Sequence, residues 1–141
     1  MRDLANHVHP LRVISPAAAT TDNTPWVGQI IDRQGYGSLT YLIVTGGEAD
    51  ADATFTVLLE ESAASDMTGA TTVADIDLVG TAALASFNFG DDNETRKLGY
   101  TGNLRYTRLT ITPAANTGNA FVAAIGLLGH PDLQATPNPP V

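Results

Sequence analysis

The chain has 141 residues and a formal net charge of −8, with seven Lys and Arg against fifteen Asp and Glu. That is one domain's worth of sequence with no basic patch for nucleic acid, and an anionic membrane surface would repel it. Cysteine is absent, which excludes disulfides, thiolate metal sites and cysteine nucleophiles, and the low charged fraction of 16 % suits packing better than catalysis.

The first sixteen residues, MRDLANHVHPLRVISP, lack the apolar stretch of a secretory signal. No window approaches the roughly 20 apolar residues of a spanning helix, so a soluble product of the cytoplasm is expected. Pro10 and Pro16 push their preceding residues to extended geometry, and residues 1–24 read as an extended arm outside the core. Trp26–Asp32 is the first strand, with Trp26, Gly28 and Ile30 on one face and Val27, Gln29 and Ile31 on the other. The RQGYG that follows reads as a hairpin turn. Leu39–Thr45 is apolar on both faces, as a central strand of a two-layer protein would be.

GGEADAD is a polar reversal, after which Thr54–Glu60 alternates with Phe55, Val57 and Leu59 inward. Short strands are expected at Val73–Val79 and Ala85–Phe89, the latter with Phe87 and Phe89 on one face. Lys97–Thr101 and Arg105–Thr112 follow the GDDNE turn, and Ala120–Leu128 closes the series, again apolar on both faces and expected to be buried. The end, HPDLQATPNPPV, has four prolines in twelve residues and reads as an open tail. About eight strands with no convincing amphipathic helix argue for an all-β antiparallel sandwich or barrel over residues 25–129, flanked by the arm and a tail at 130–141. The only helical competitors are the alanine-rich AAATTDN and VADIDLVGTAALAS.

Chemistry is sparse. Glu48, Asp50 and Asp52 alternate, so on a strand they would share a face, and Asp50, Asp52 and Glu61 match the first, third and last positions of a twelve-residue calcium loop. Phe55 stands where that loop needs glycine, which favours a solvated tip instead. His7 and His9, with His130 as the third, would hold zinc only if the two ends met. Ser15, Ser38, Ser62, Ser65 and Ser86 all lie outside a nucleophile elbow, and the carboxylates Glu60, Glu61, Asp75 and Asp77 lack the aromatic-lined cleft of a glycosidase. Neither GYG nor LGYTG has the lysine or helix of a phosphate cradle, so neither enzyme nor cofactor is expected. Arg96, Lys97, Arg105 and Arg108 cluster, while Glu48–Glu61 is acidic; Glu48, Asp50, Asp52, Arg96, Arg105 and Arg108 are therefore candidates for a self-assembly contact or for ordinary cross-strand pairs.

The stretches VGQIIDRQGYGSLTYLIVTG, ADADATFTVLLEES, VADIDLVGT and RKLGYTGNLRYTRLTITPAANTG together resemble small phage and prophage head decoration, or cement, proteins. The resemblance covers Val27 to His130 and is one of overall wording, with no functional residue to carry over. It implies a β-sandwich or jelly-roll-like body, a homotrimer, and a place on the outside of the major capsid shell, where the protein would stabilise the head after synthesis in the host cytoplasm. Extended arms that lie along a neighbour would suit that role, which makes Leu11, Arg12, Val13, Ile14, His130 and Leu133 candidate partner-binding residues. Leu11, Val13 and Ile14 are expected to be buried, by this chain or by a partner. The alternatives are a tail or head–tail connector component, and a carbohydrate-binding sandwich using Trp26, Tyr36, Tyr41, Tyr100 or Tyr106 as a sugar platform.

Overall fold

The computed structural model describes residues 2–140. Among these, ten strands form two antiparallel sheets that pack face to face. Sheet I contains β1 (Val8–Ile14), β3 (Tyr36–Glu48), β6 (Leu78–Val79), β8 (Thr95–Tyr100) and β10 (Ala120–Pro131), in the order β1-β10-β3-β8-β6. Sheet II contains β2 (Trp26–Asp32), β4 (Thr54–Ser62), β5 (Thr71–Thr72), β7 (Phe87–Asn88) and β9 (Tyr106–Ala114), ordered β2-β9-β4-β5 with β7 also on β4. The all-β sandwich anticipated from strand spacing is therefore present.

The core is built from alternate residues of the long strands. Leu39, Tyr41 and Ile43 of β3 and Leu98 of β8 meet Phe55, Val57 and Leu59 of β4 and Leu109 and Ile111 of β9, all of them buried. Phe55 stacks on Phe87 at 4.8 Å between ring centroids and lies 5.9 Å from Trp26. A buried polar link joins the two sheets, Tyr41 Oη to Thr107 Oγ1 at 2.6 Å, with both residues out of water. Burial raises the Tyr41 phenol well above its ordinary value, so it stays neutral.

Local expectations are corrected at several places. Residues 8–14 do not lie in an arm outside the core: they form β1, an edge strand on β10, with Val13 and Ile14 buried in the sandwich. Pro10 is tolerated there because an edge strand has one side free of ladder bonds. The RQGYG segment is not a hairpin turn either. Asp32 Oδ1 accepts from Gln34 N at 3.0 Å and Gly35 takes φ of +86°, and the chain steps across to the other sheet. Along the seven strands longer than two residues, sequence neighbours alternate between the sheets and never pair with each other.

In β2, the register against β9 shifts between Val27 and Ile30. This bulge breaks the expected alternation, so Gly28 and Ile31 are buried while Val27 and Ile30 face out. Gly28 is forced by closeness: a Cβ there would stand 2.5 Å from the Leu109 carbonyl oxygen and 2.6 Å from Val13 Cγ1. The strands expected at Val73–Val79 and Ala85–Phe89 shrink to two-residue pieces around a 3₁₀ turn (Asp75–Asp77) and a single helical turn, α1 (Ala82–Ala85). Thr81 caps α1 by accepting from Leu84 N at 3.1 Å. Asn88 and Asp91 cap the next turn reciprocally, which sends Phe89 outward while Phe87 goes in.

Candidate functional site

The two outer faces of the sandwich differ in chemistry. On sheet II, Thr54 and Thr56 of β4 and Thr110 and Thr112 of β9 line the outside, with Glu60 opposite Arg108 in register. The apolar residues on this side, Val27 and Ile30 of β2, sit at the edge of the sheet beside that polar centre. On sheet I, the outward residues of β3 and β10 include Leu42, Val44, Phe121, Ala123 and Ile125, with Leu42 opposite Ile125 and Val44 opposite Ala123, and Thr40 and Ser38 continue the face toward one end. Val44, Phe121 and Ile125 are 48 %, 44 % and 38 % exposed. The expectation that β3 and β10 are buried on both faces is thus corrected, since only their inward sets are covered.

Small residues shape this face. A Cβ on Gly46 would meet Phe121 Cβ at 2.7 Å, so its absence lets the phenylalanine lie against β3. Ala123 then forms a low floor between Val44, Phe121 and Ile125. A shallow depression of about 280 Å³ opens there, lined by Leu42, Val44, Thr95, Ala123, Ala124 and Ile125. The bordering charges are all positive: Lys97 sits opposite Leu42 on β8, and Arg12 opposite Ile125 on β1. Neither pairs with a carboxylate among the described residues. β1, β8 and β10 contain no acidic residue, and β3 contains only the buried Glu48. In a chain of net charge −8, this is a segregated apolar, cation-edged surface.

The three arginines among the candidate assembly charges are engaged within the chain. Arg96 reaches Asp91 at 2.6 Å and Glu94 at 2.9 Å, Arg108 reaches Glu60 at 2.9 Å, and Arg105 grips Asp32 with two bonds of 2.8 and 2.7 Å. The Arg105 guanidinium holds Asp32 below the usual carboxylate range. Glu48, Asp50 and Asp52 do not share a face. Asp50 accepts from the hydroxyl and backbone N–H of Thr117 at 2.7 and 2.8 Å, which keeps its carboxyl low, and Asp52 is exposed. Glu48 is buried with no partner on either oxygen, and desolvation followed by the Asp92 charge pushes it up to about 7.

The arm candidates divide in the same way. Val13 and Ile14 lie in the core and Leu11 packs partly against it, whereas Arg12 points out and donates to Ser15 Oγ at 2.6 Å. The two ends do meet, because β1 pairs with β10. His7 and His130 line one groove with Leu4 and Ser38, His130 Nδ1 lying 2.9 Å from Ser38 Oγ, and Leu133 projects beyond it. His9 is turned inward, buried and stacked on Tyr36 at 5.6 Å. Among the described residues, no three His, Asp or Glu side chains converge as metal ligands would.

The carboxylates considered for hydrolysis do not face each other across a cleft. Glu60 is tied to Arg108, and Glu61 accepts from the Tyr100 hydroxyl, whose pKa burial and this carboxylate push up to about 12. Asp75 and Asp77 flank Ile76 on the separate 3₁₀ turn. The ring candidates for a sugar platform are also occupied: Tyr41 and Tyr100 are buried, Tyr36 stacks on His9, and Arg105 covers Tyr106 at 4.9 Å.

No protein-family model and no curated protein matches the sequence. Among solved structures, the fold is similar to a chain of the capsid of Ralstonia phage GP4, with a TM-score of 0.53 and 10 % identity over 92 % of this chain and 88 % of that one. The likeness is one of fold. The infectious bursal disease virus Gx strain (TM-score 0.45, 7 % identity, 91 % of this chain and 34 % of that one) and the xylan-binding module CBM15 (TM-score 0.43, 9 % identity, 93 % and 95 %) are more distant.

Proposed function

We propose that the chain is a non-enzymatic structural component of a phage virion, a decoration protein that docks on the outside of the major capsid shell and stabilises the head. The observation that carries this reading is the apolar, cation-edged outer face of sheet I, on a stiff two-sheet body. A protein that works by contact needs such a surface and no reacting group. The capsid-like fold and the resemblance of the sequence to cement proteins point the same way. In this reading the chain is made in the host cytoplasm, associates with itself as a homotrimer, and binds neither nucleic acid nor membrane. Arg12, exposed on the edge strand β1, and His130 and Leu133, exposed at the end where the termini meet, are offered to the shell.

Many modest contacts spread over capsomer junctions would stabilise the shell by mass action on the bound state. The test is to mix the purified protein with expanded, undecorated heads. Co-sedimentation at saturable stoichiometry and a raised disassembly temperature are expected. Failure to co-sediment at micromolar concentration, or the formation of closed hexameric or dodecameric rings that bind only a portal vertex, would replace this reading with the connector one.

A further inference from the structure

We propose that the uncovered face of sheet I receives the turn Asp75–Asp77 of a second copy of this chain, in a head-to-tail contact. The turn has the complementary shape and charge. Ile76 stands 88 % exposed at its apex, between the carboxylates of Asp75 and Asp77, and neither carboxylate pairs with a cation among the described residues. Val79 and Leu84, in the same connection, are also exposed. An isoleucine left this bare on a loose loop would call for no explanation. Here the backbone is fixed: Asp77 N donates to Ala74 O at 2.9 Å, and Thr101 N, just past β8, donates to Asp77 O at 2.8 Å. The knob is therefore held out ready-made, and little conformational freedom is lost when it docks.

The receiving surface mirrors it. An aliphatic side chain fits the depression over Ala123, and a carboxylate on either side of that side chain meets the Lys97 or Arg12 border. Knob and depression do not fill each other within one copy, because Ile76 and Val44 are both uncovered there. Two copies joined face to face would oppose Lys97 and Arg12 to themselves, and two joined knob to knob would oppose four aspartates. A contact of knob to face brings opposite charges together, and repeated head to tail round an axis it closes into a ring.

The contact rests on the face that also carries the proposed function and assigns its occupant to a second copy; association is read on the purified chain without shells and shell docking on added heads, so the failure of either is seen separately from the other. Sedimentation velocity should show concentration-dependent association. Ile76→Ser should weaken it at least about tenfold, from the apolar area lost, with an unchanged unfolding midpoint because the residue touches no core. Val44→Asp should do the same from the other side, and Ile125→Asp serves if that variant misfolds. The deciding measurement is a mixture. The Ile76→Ser chain keeps a sound face and the Val44→Asp chain a sound knob, so the two should form a 1:1 pair and nothing larger. Likewise Asp77→Lys should disrupt association and Asp77→Lys with Lys97→Asp should restore it. A chain that stays monomeric at about 0.1 mM, association indifferent to Ile76→Ser, or a mixture that fails to pair would each overturn the proposal.

Discussion

Glu48 gives the fold a pH dependence of defined sign. It is the last residue of β3, opposite Ala120, and its own N–H donates to Asp92 Oδ1 at 2.8 Å, which fixes a second carboxylate beside it. Neither Glu48 oxygen has a hydrogen-bond partner, and the Phe121 N–H that favours the charged form is too poorly placed to satisfy either one. The folded pKa therefore rises from 4.5 to about 7. Folding then favours the protonated form. Stability from this group is complete below about 4.5, falls as the pH climbs, and is exhausted above about 7. Each tenfold change in proton affinity between the unfolded and folded chain is worth about 1.4 kcal/mol, so the loss between pH 5 and pH 8 is about 2 kcal/mol.

Glu48→Gln removes the titration while keeping the shape. Urea unfolding followed by the fluorescence of Trp26, the only tryptophan, should give a variant that gains about 2 kcal/mol on the wild type between pH 5 and pH 8. Comparing the two chains at each pH cancels the histidines and the other carboxylates. Parallel stability curves across that range would show that Glu48 is ionised in the fold and that burial does not hold its proton on.

Tyr41→Phe leaves the buried Thr107 hydroxyl without its partner and should cost about 1–3 kcal/mol, while adding Thr107→Val should recover much of it; strictly additive losses in denaturant melts would contradict a shared hydrogen bond. Gly28→Ala drives a Cβ into the Leu109 carbonyl, which cannot rotate away, so the loss should reach or exceed the roughly 1–3 kcal/mol of ordinary overpacking, and an unchanged melting temperature would refute the close approach. Asp32→Asn breaks the exposed, doubly bonded Arg105 pair and should barely move the unfolding midpoint, with any effect vanishing in molar salt; a large, salt-insensitive drop would mean that the pair is not screened by water.

The positions of the long strands were legible because their inward residues recur every second position. Thr54–Glu60 lies within β4, and Trp26–Asp32 is β2 to the residue. Which strands pair was not legible. RQGYG carries the chemistry of a tight turn whether it joins neighbours in one sheet or carries the chain between two, and only long-range packing decides between them. The β2 bulge was hidden for a similar reason: it is set by Gly28 approaching Leu109 and Val13, residues distant in sequence. Between residues 71 and 91, side-chain caps from Thr81, Asn88 and Asp91 override an apolar rhythm too short to hold a strand. The arm was misplaced because two prolines read as breakers, although an edge strand accepts one of them.

The outer face of sheet I is where pattern reading and structure instruct each other. A strand apolar on both faces reports that both faces are covered, and it does not name the cover. For β3 and β10, sheet II supplies one cover. On the other side, Pro16 and Ala17 border Val44, Phe121 and Ala123, and the described residues leave Val44, Phe121 and Ile125 exposed. Sheet II gives a mixed result: its outward threonines ask for nothing but water, while Val27 and Ile30 on the edge strand β2 are apolar and exposed. Acidic residues are sorted accordingly, missing from β1, β8 and β10 although they outnumber basic residues two to one in the whole chain. Strand propensity does not require that sorting, since Thr serves an exposed strand as well as Val does. The pattern is that of a strand pair whose inward set is covered by sheet II and whose outward set is left partly open to water.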